Sequence, residues 1–238
     1  MKLTYAAAAL CCTATSALAG GFERSTLPLG FMYENGTYAE LSFGQVTSDV
    51  SGATLIPLAG GLIPAGTASG NMAESFSSVS LSFKTDLNDK ISLGLSLDPT
   101  FGADLTYPVG TGYPIAGTNA ELNGDTIALV GRYKVNDNFS VHAGLRSVGI
   151  GGNVTVIAPP NPTYSATYAT DRDLGYLVGV AYEKPEIALR VALTYASETE
   201  HDMDTTIAGV GFVGTETIEL PKSVTLDFQS GVAANTLV

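Results

Sequence analysis

The sequence predicts an all-β fold: a transmembrane antiparallel up-and-down β-barrel with long outer loops and short periplasmic turns. Three observations predict it. The first is composition. Hydrophobic residues make up 45% of the 238 residues and charged residues only 14%, against about 25% charged in average globular chains. Mean hydropathy is +0.22, yet after the N-terminus no run approaches the ~18 consecutive apolar residues a membrane helix needs. The second is a period of two in the hydrophobic pattern. The third is a regular alternation of short and long connections.

Each element follows in chain order. Residues 1–19 read as a secretory signal: Lys2 supplies the positive start, Leu3 to Cys12 the apolar stretch, and Ala17-Leu18-Ala19 the small-residue cleavage site before Gly20. Both cysteines, Cys11 and Cys12, fall inside it, and Leu10 before Cys11 argues against a lipoprotein signal. The exported chain is then expected to lack disulfides and thiolate metal sites. Without Lys2 it carries 10 basic against 23 acidic residues. No basic stripe is offered to phosphates, so nucleic acid is not an expected partner. Residues 20–37 form a short N-terminal segment, and 38–238 form the barrel.

Eight strands are expected, at 38–46, 78–85, 91–97, 126–135, 139–147, 174–183, 187–197 and 223–232. The stretch YAELSFGQV puts Leu41 and Phe43 on one face, Glu40 and Ser42 on the other. ISLGLSL puts four aliphatic residues against Ser92, Gly94 and Ser96. The same parity runs through all eight, each near the ~9–11 residues of a tilted membrane strand. Short turns fall at 86–90, 136–138, 184–186 and 233–236. Long connections are expected at 47–75, 98–125, 148–173 and 198–222, the short/long rhythm of an outer-membrane barrel. A soluble sandwich would have mostly short loops. Phe83, Tyr133, Phe139 and Tyr182 all lie on the apolar face beside short turns, as an aromatic girdle requires. Barrel closure satisfies the backbone within lipid.

These residues resemble the FadL/TodX family of outer-membrane transporters for long-chain fatty acids and other hydrophobic compounds. The resemblance runs from about Tyr38 to Val238. It is carried by LSFGQVTSDVSG (41–52), FKTDLNDKISLGLSLDPTFGADL (83–105), ELNGDTIALVGRYKVNDNFSVHAGLR (121–146), AYEKPEIALRVALTY (181–195) and IELPKSVTLDFQSGVAANT (218–236). It implies fourteen strands, of which about eight are present, so the sequence reads as a C-terminally truncated fragment. It implies passive uptake without a cofactor, by a monomer set in outer-membrane lipid and lipopolysaccharide. The family's N-terminal hatch is expected to be reduced or absent, since only 20–37 precedes the first strand. The family's third strand is kinked inward and opens the wall, which the resemblance carries to Pro99, Phe101 and Gly102, where Pro and Gly favour a bulge. A plain loop start is the alternative there.

The inner faces are mostly Ser, Gly, Ala and Thr. His142, Arg146 and Arg190 lie deep and are candidates to bind a carboxylate head group, Arg through paired hydrogen bonds. The alternative is salt bridging within the lumen, such as Arg190 with Asp227 or Arg146 with Glu40. The outer connection TLIPLAGGLIPA is unusually apolar, and Leu55, Ile56, Leu58, Leu62 and Ile63 are candidates for an apolar capture groove. Self-packing of the loops is the alternative. A general porin or a structural barrel are competing functions. An outer-membrane lipid hydrolase is less favoured, because no G-x-S-x-G or H-E-x-x-H occurs around His142 or His201. The acids Glu198, Glu200, Asp202 and Asp204 are read as a solvated rim, and no catalytic or metal site is expected.

Overall fold

The computed structural model describes residues 23–237, apart from 26, 158, 160–162, 209–211, 234 and 235; the signal-peptide reading of 1–19 lies outside them. An antiparallel sheet curls into a half-barrel. Its strands are β1 (Tyr38–Val46), β2 (Phe76–Asp86), β3 (Ile91–Thr106), β4 (Asn119–Lys134), β5 (Phe139–Val156), β6 (Tyr164–Lys184), β7 (Leu189–Ala196), β8 (Thr199–Ala208), β9 (Phe212–Leu220) and β10 (Ser223–Gln229). The order is β1-β2-β3-β4-β5-β6-β7-β10, with β8 beside β6 and β9 beside β8. A two-stranded ladder, β11 (Gly231–Ala233) with β12 (Thr236–Leu237), follows.

The last four long strands reduce to two. Leu177 faces Ala196 and Ser165 faces Ala208, one register along β6, so β7 and β8 are halves of a single strand. Thr199 faces Leu220 and Ala196 faces Ser223, so β9 and β10 are halves of the next. The break falls at Ser197-Glu198 opposite Pro221-Lys222, where Pro has no N–H for the ladder. Eight staves result.

The apolar rows point outward. Leu93, Leu95, Ile127, Leu129, Val141, Leu145, Val178, Val180 and Leu193 are all exposed, whereas Ser92, Ser96, Ala128, Arg132, Ser140 and His142 are buried. No second sheet covers the apolar face among the described residues. The girdle is present: Phe139 pairs with Tyr182 across β5–β6, ring centroids 4.9 Å apart. On the outward face of β6 the next charge above it is Arg172, which donates to both oxygens of Asp125 at 2.6 Å. Ten residues separate Tyr182 from Arg172. At about 3.3 Å each and about 40° tilt they rise about 25 Å, the height of a barrel's lipid belt.

Above that belt the strands run further than their patterns suggest. β3 to β6 continue through most of 98–125 and 148–173, and the expected connection 198–222 is largely the hairpin β8–β9. The outward face there meets no lipid, so it needs no apolar row, and the parity that marks a strand fades while its ladder continues. Only 47–75 stays irregular, tied to β3 through Thr106 N–H to Met72 O (2.8 Å) and Glu74 N–H to Asp104 O (3.1 Å).

Candidate functional site: a chamber between plug and cap

Inside the half-barrel the N-terminal segment folds back as a plug. In the run LPLGFMY, Leu29, Phe31 and Met32 are buried and Pro28 stays exposed. A single 3-10 turn, Gly30–Tyr33, buries Phe31 and Met32. With Leu29 they form one cluster with Ala128 and Val130 of β4 and Leu177 of β6. The backbone carbonyls of the plug find buried cations from the wall. Lys84 Nζ donates to Glu34 O (2.6 Å) and Gly36 O (3.1 Å), and Arg132 Nη1 donates to Met32 O (3.1 Å). Lys84 is tied to Asp86 at 2.6 Å and Arg132 to Glu183. Two guanidinium groups lie over the Tyr33 ring, Arg132 at 4.4 Å and Arg190 at 4.9 Å from its centroid. Gly94 of β3 leaves room for this packing: an added Cβ would crowd Met32 Sδ and the Phe31 ring.

The outer end is closed by a second apolar cluster. Val148 and Ile150 of β5, Met203 of β8 and Leu220 of β9 are buried together, flanked by Phe101, Leu122, Tyr168 and Ile218. All come from inward positions on the strand extensions. Between plug and cap lies a chamber of about 550 Å³, within the range of small-molecule sites. Its lining is mainly apolar, Leu29, Phe101, Leu177, Ala196 and Leu220 among it, with polar points that include Glu23, Tyr33, Thr100, Arg146, Lys222 and Asp227.

The wall beside the chamber is incomplete. The β1–β2 ladder continues up to Val46 and Phe76, but the β2–β3 ladder stops at Leu81 and Leu97. β3 carries on to Thr106, bulged where Pro99 and Thr100 face β4 between the Asp98–Thr126 and Phe101–Gly124 pairs. A seam therefore opens between β2 and β3. The N-terminal segment occupies it: Arg24 N–H and Ser25 N–H both donate to Thr100 O (2.8 and 3.2 Å), and Glu23 bridges Phe101. Ser80 Oγ of β2 donates to Asp98 of β3 at 2.8 Å, and Ser25 Oγ donates to the other oxygen of the same carboxylate.

The residues singled out from sequence divide among these places. Arg146 lines the chamber; its Nη2 donates to Ser197 O, and its Nε is buried without a partner. Arg190 pairs with Asp227 at 3.4 Å, the salt bridge foreseen as its alternative. His142 bonds Thr194 Oγ1 through Nε2 (2.9 Å) and faces the Tyr33 hydroxyl through Nδ1 (3.4 Å). Ser140 is taken up by Arg132 Nε (3.0 Å), and His201 is buried on Thr199 (3.1 Å). Pro99, Phe101 and Gly102 form the β3 side of the seam, and Phe101 also lines the chamber. Leu55, Ile56, Leu58, Leu62 and Ile63 do not line the chamber. They form a small hairpin closed by Leu58 N–H to Ile63 O (2.9 Å), with Leu55 and Leu62 93% and 86% exposed. Among the described residues no group of three or more His, Cys, Asp or Glu is arranged to hold a metal. Sequence reasoning missed Leu27, Leu29 and Tyr33, whose only signal is the apolar run before the first strand, and Leu220 and Lys222, which lie in an expected loop.

The profile of the family described as outer membrane protein transport protein (OMPP1/FadL/TodX) matches residues 16–229. The crystal structure of a Pseudomonas aeruginosa FadL homologue superposes with a TM-score of 0.54 at 14% identity, over 83% of this chain and 56% of that one. The likeness is one of fold, and the chain spans a little over half the length of that homologue. No curated protein matches the chain.

Proposed function

Since the chain belongs to the outer-membrane protein transport family OMPP1/FadL/TodX, a family of transport proteins rather than enzymes, we propose that it carries hydrophobic compounds, such as long-chain fatty acids, passively across the outer membrane. The apolar hairpin at Leu55–Ile63 collects cargo at the outer surface. The chamber holds the apolar part, and Arg146 offers its unpartnered Nε–H to an acidic head group. His142 and Arg190, engaged by Thr194 and Asp227, position Tyr33 and the plug rather than the cargo. Exit is sideways, through the β2–β3 seam at Pro99, Phe101 and Gly102 into the bilayer, so that cargo never crosses the polar periplasmic mouth. The observation that carries this reading is continuity: Thr100 and Phe101 line the chamber and also form the place where the wall ladder is broken.

The test is to fill the chamber. Ala196→Trp should lower hexadecanoate binding and uptake by about ten-fold or more while the barrel still shows heat-modifiable migration on gels. Uptake at the original rate by a correctly assembled variant would refute the chamber as the cargo site.

A further inference from the structure

The seam holds a guanidinium that has no ion-pair partner among the described residues, Asp104 and Glu121 facing it only at longer range. Arg24 enters it from the N-terminal segment. Its guanidinium lies 4.1 Å from the centroid of the Phe76 ring on β2. It also packs against Gly102 of β3, where an added Cβ would crowd Cζ and Nε. Its Nε is buried and has no hydrogen-bond partner, and among the described residues no carboxylate lies within ion-pair distance. An aromatic face is a weaker partner for a guanidinium than a carboxylate, which accepts two parallel hydrogen bonds. A buried donor left unmade favours any ligand that can accept from it.

The position of this group matters as much as its chemistry. Glu23, Thr100 and Phe101 line the chamber and adjoin Arg24 along the seam. A molecule leaving the chamber sideways thus passes from one guanidinium with a vacant Nε–H, Arg146, to another. We propose that Arg24 is the specificity-determining residue of the exit, admitting carboxylate-bearing cargo in preference to neutral hydrophobes. The cargo's carboxylate replaces Phe76 as the partner of the guanidinium. Arg24 then lifts from Gly102, and the space it filled becomes the opening. A neutral hydrophobe has nothing with which to displace it. This selectivity rests on the sideways-exit reading above.

The test compares two probes of equal chain length, hexadecanoate and 1-hexadecanol, taken up by intact cells of a Gram-negative host without a transporter of this kind, expressing the full chain. Arg24→Gln should lower the acid-to-alcohol uptake ratio about ten-fold, the scale of one charge-assisted hydrogen-bonded contact, and Arg24→Lys should lower it less. An unchanged ratio, or both rates moving by the same factor, overturns the role of Arg24 and leaves the transport reading standing. A wild-type chain that moves neither probe removes both. If Arg24→Gln does not assemble, Phe76→Leu decides: it removes the competing aromatic face and should raise the ratio, and a ratio that stays or falls overturns the proposal.

Discussion

Tyr33 shows what single residues do here. Its ring is held by Arg132 and Arg190, cations whose inward position is readable from strand parity alone. Parity could not reveal their partners, because Arg132 and Met32 are a hundred residues apart in sequence. Charges that look like a free lumen lining are instead the anchors of a plug. The same contacts give Gly94 its meaning: it is a small residue in a strand until Phe31 and Met32 are seen against it. Gly94→Leu should expel the plug, since the new side chain meets Met32 Sδ and Phe31 in a close-packed interior. Single-channel conductance in planar bilayers should rise in this variant, with the barrel intact. Conductance equal to wild type would show that the plug does not close the lumen at this level.

The elements divide at the outer edge of the lipid belt. Within it, β1 to β7 and β10 carry the alternating pattern; β1, β3, β5 and β10 begin where that pattern begins, and β7 begins two residues later, after the 3-10 turn at Pro185–Ile187. Beyond it, β8, β9 and the upper parts of β3 to β6 have no outward apolar row, so periodicity is silent even though the ladders persist. Their inward residues build the cap that closes the chamber. The hairpin at 55–63 behaves differently. Its apolar side chains were legible as a cluster, and the structure leaves Leu62 exposed in its turn and Leu55 and Ile56 exposed just before the Leu58–Ile63 bridge. Replacing these three by Ser should slow hexadecanoate uptake at low concentration several-fold, while binding to purified protein stays unchanged. Equal loss of both would place the hairpin in the chamber's structure rather than in capture.

For the whole molecule, the governing fact is that the sheet is turned inside out relative to a soluble protein. Aliphatic rows face outward over about 25 Å, between the Phe139–Tyr182 ring and the Arg172–Asp125 pair, and polar groups are satisfied within. Val178 lies on the outward face of β6 inside this band. Val178→Arg should destabilise the folded barrel by about 2–4 kcal/mol, as charges do near the bilayer midplane, measured by reversible denaturant unfolding in lipid vesicles. A loss below about 0.5 kcal/mol would mean that this face does not contact lipid.

The sequence alone determined the class of fold, the eight staves, the sidedness of each strand and the family. All of these follow from a two-residue period imposed by lipid on one face, which is a local property of the chain. It took the folded structure to reveal that 27–37 packs inside the half-barrel as a plug, that the ladder breaks between β2 and β3, and that a chamber lies between plug and cap. Those features come from contacts between segments far apart in sequence, and irregular backbone packed inside a barrel has no period by which it could be read in advance.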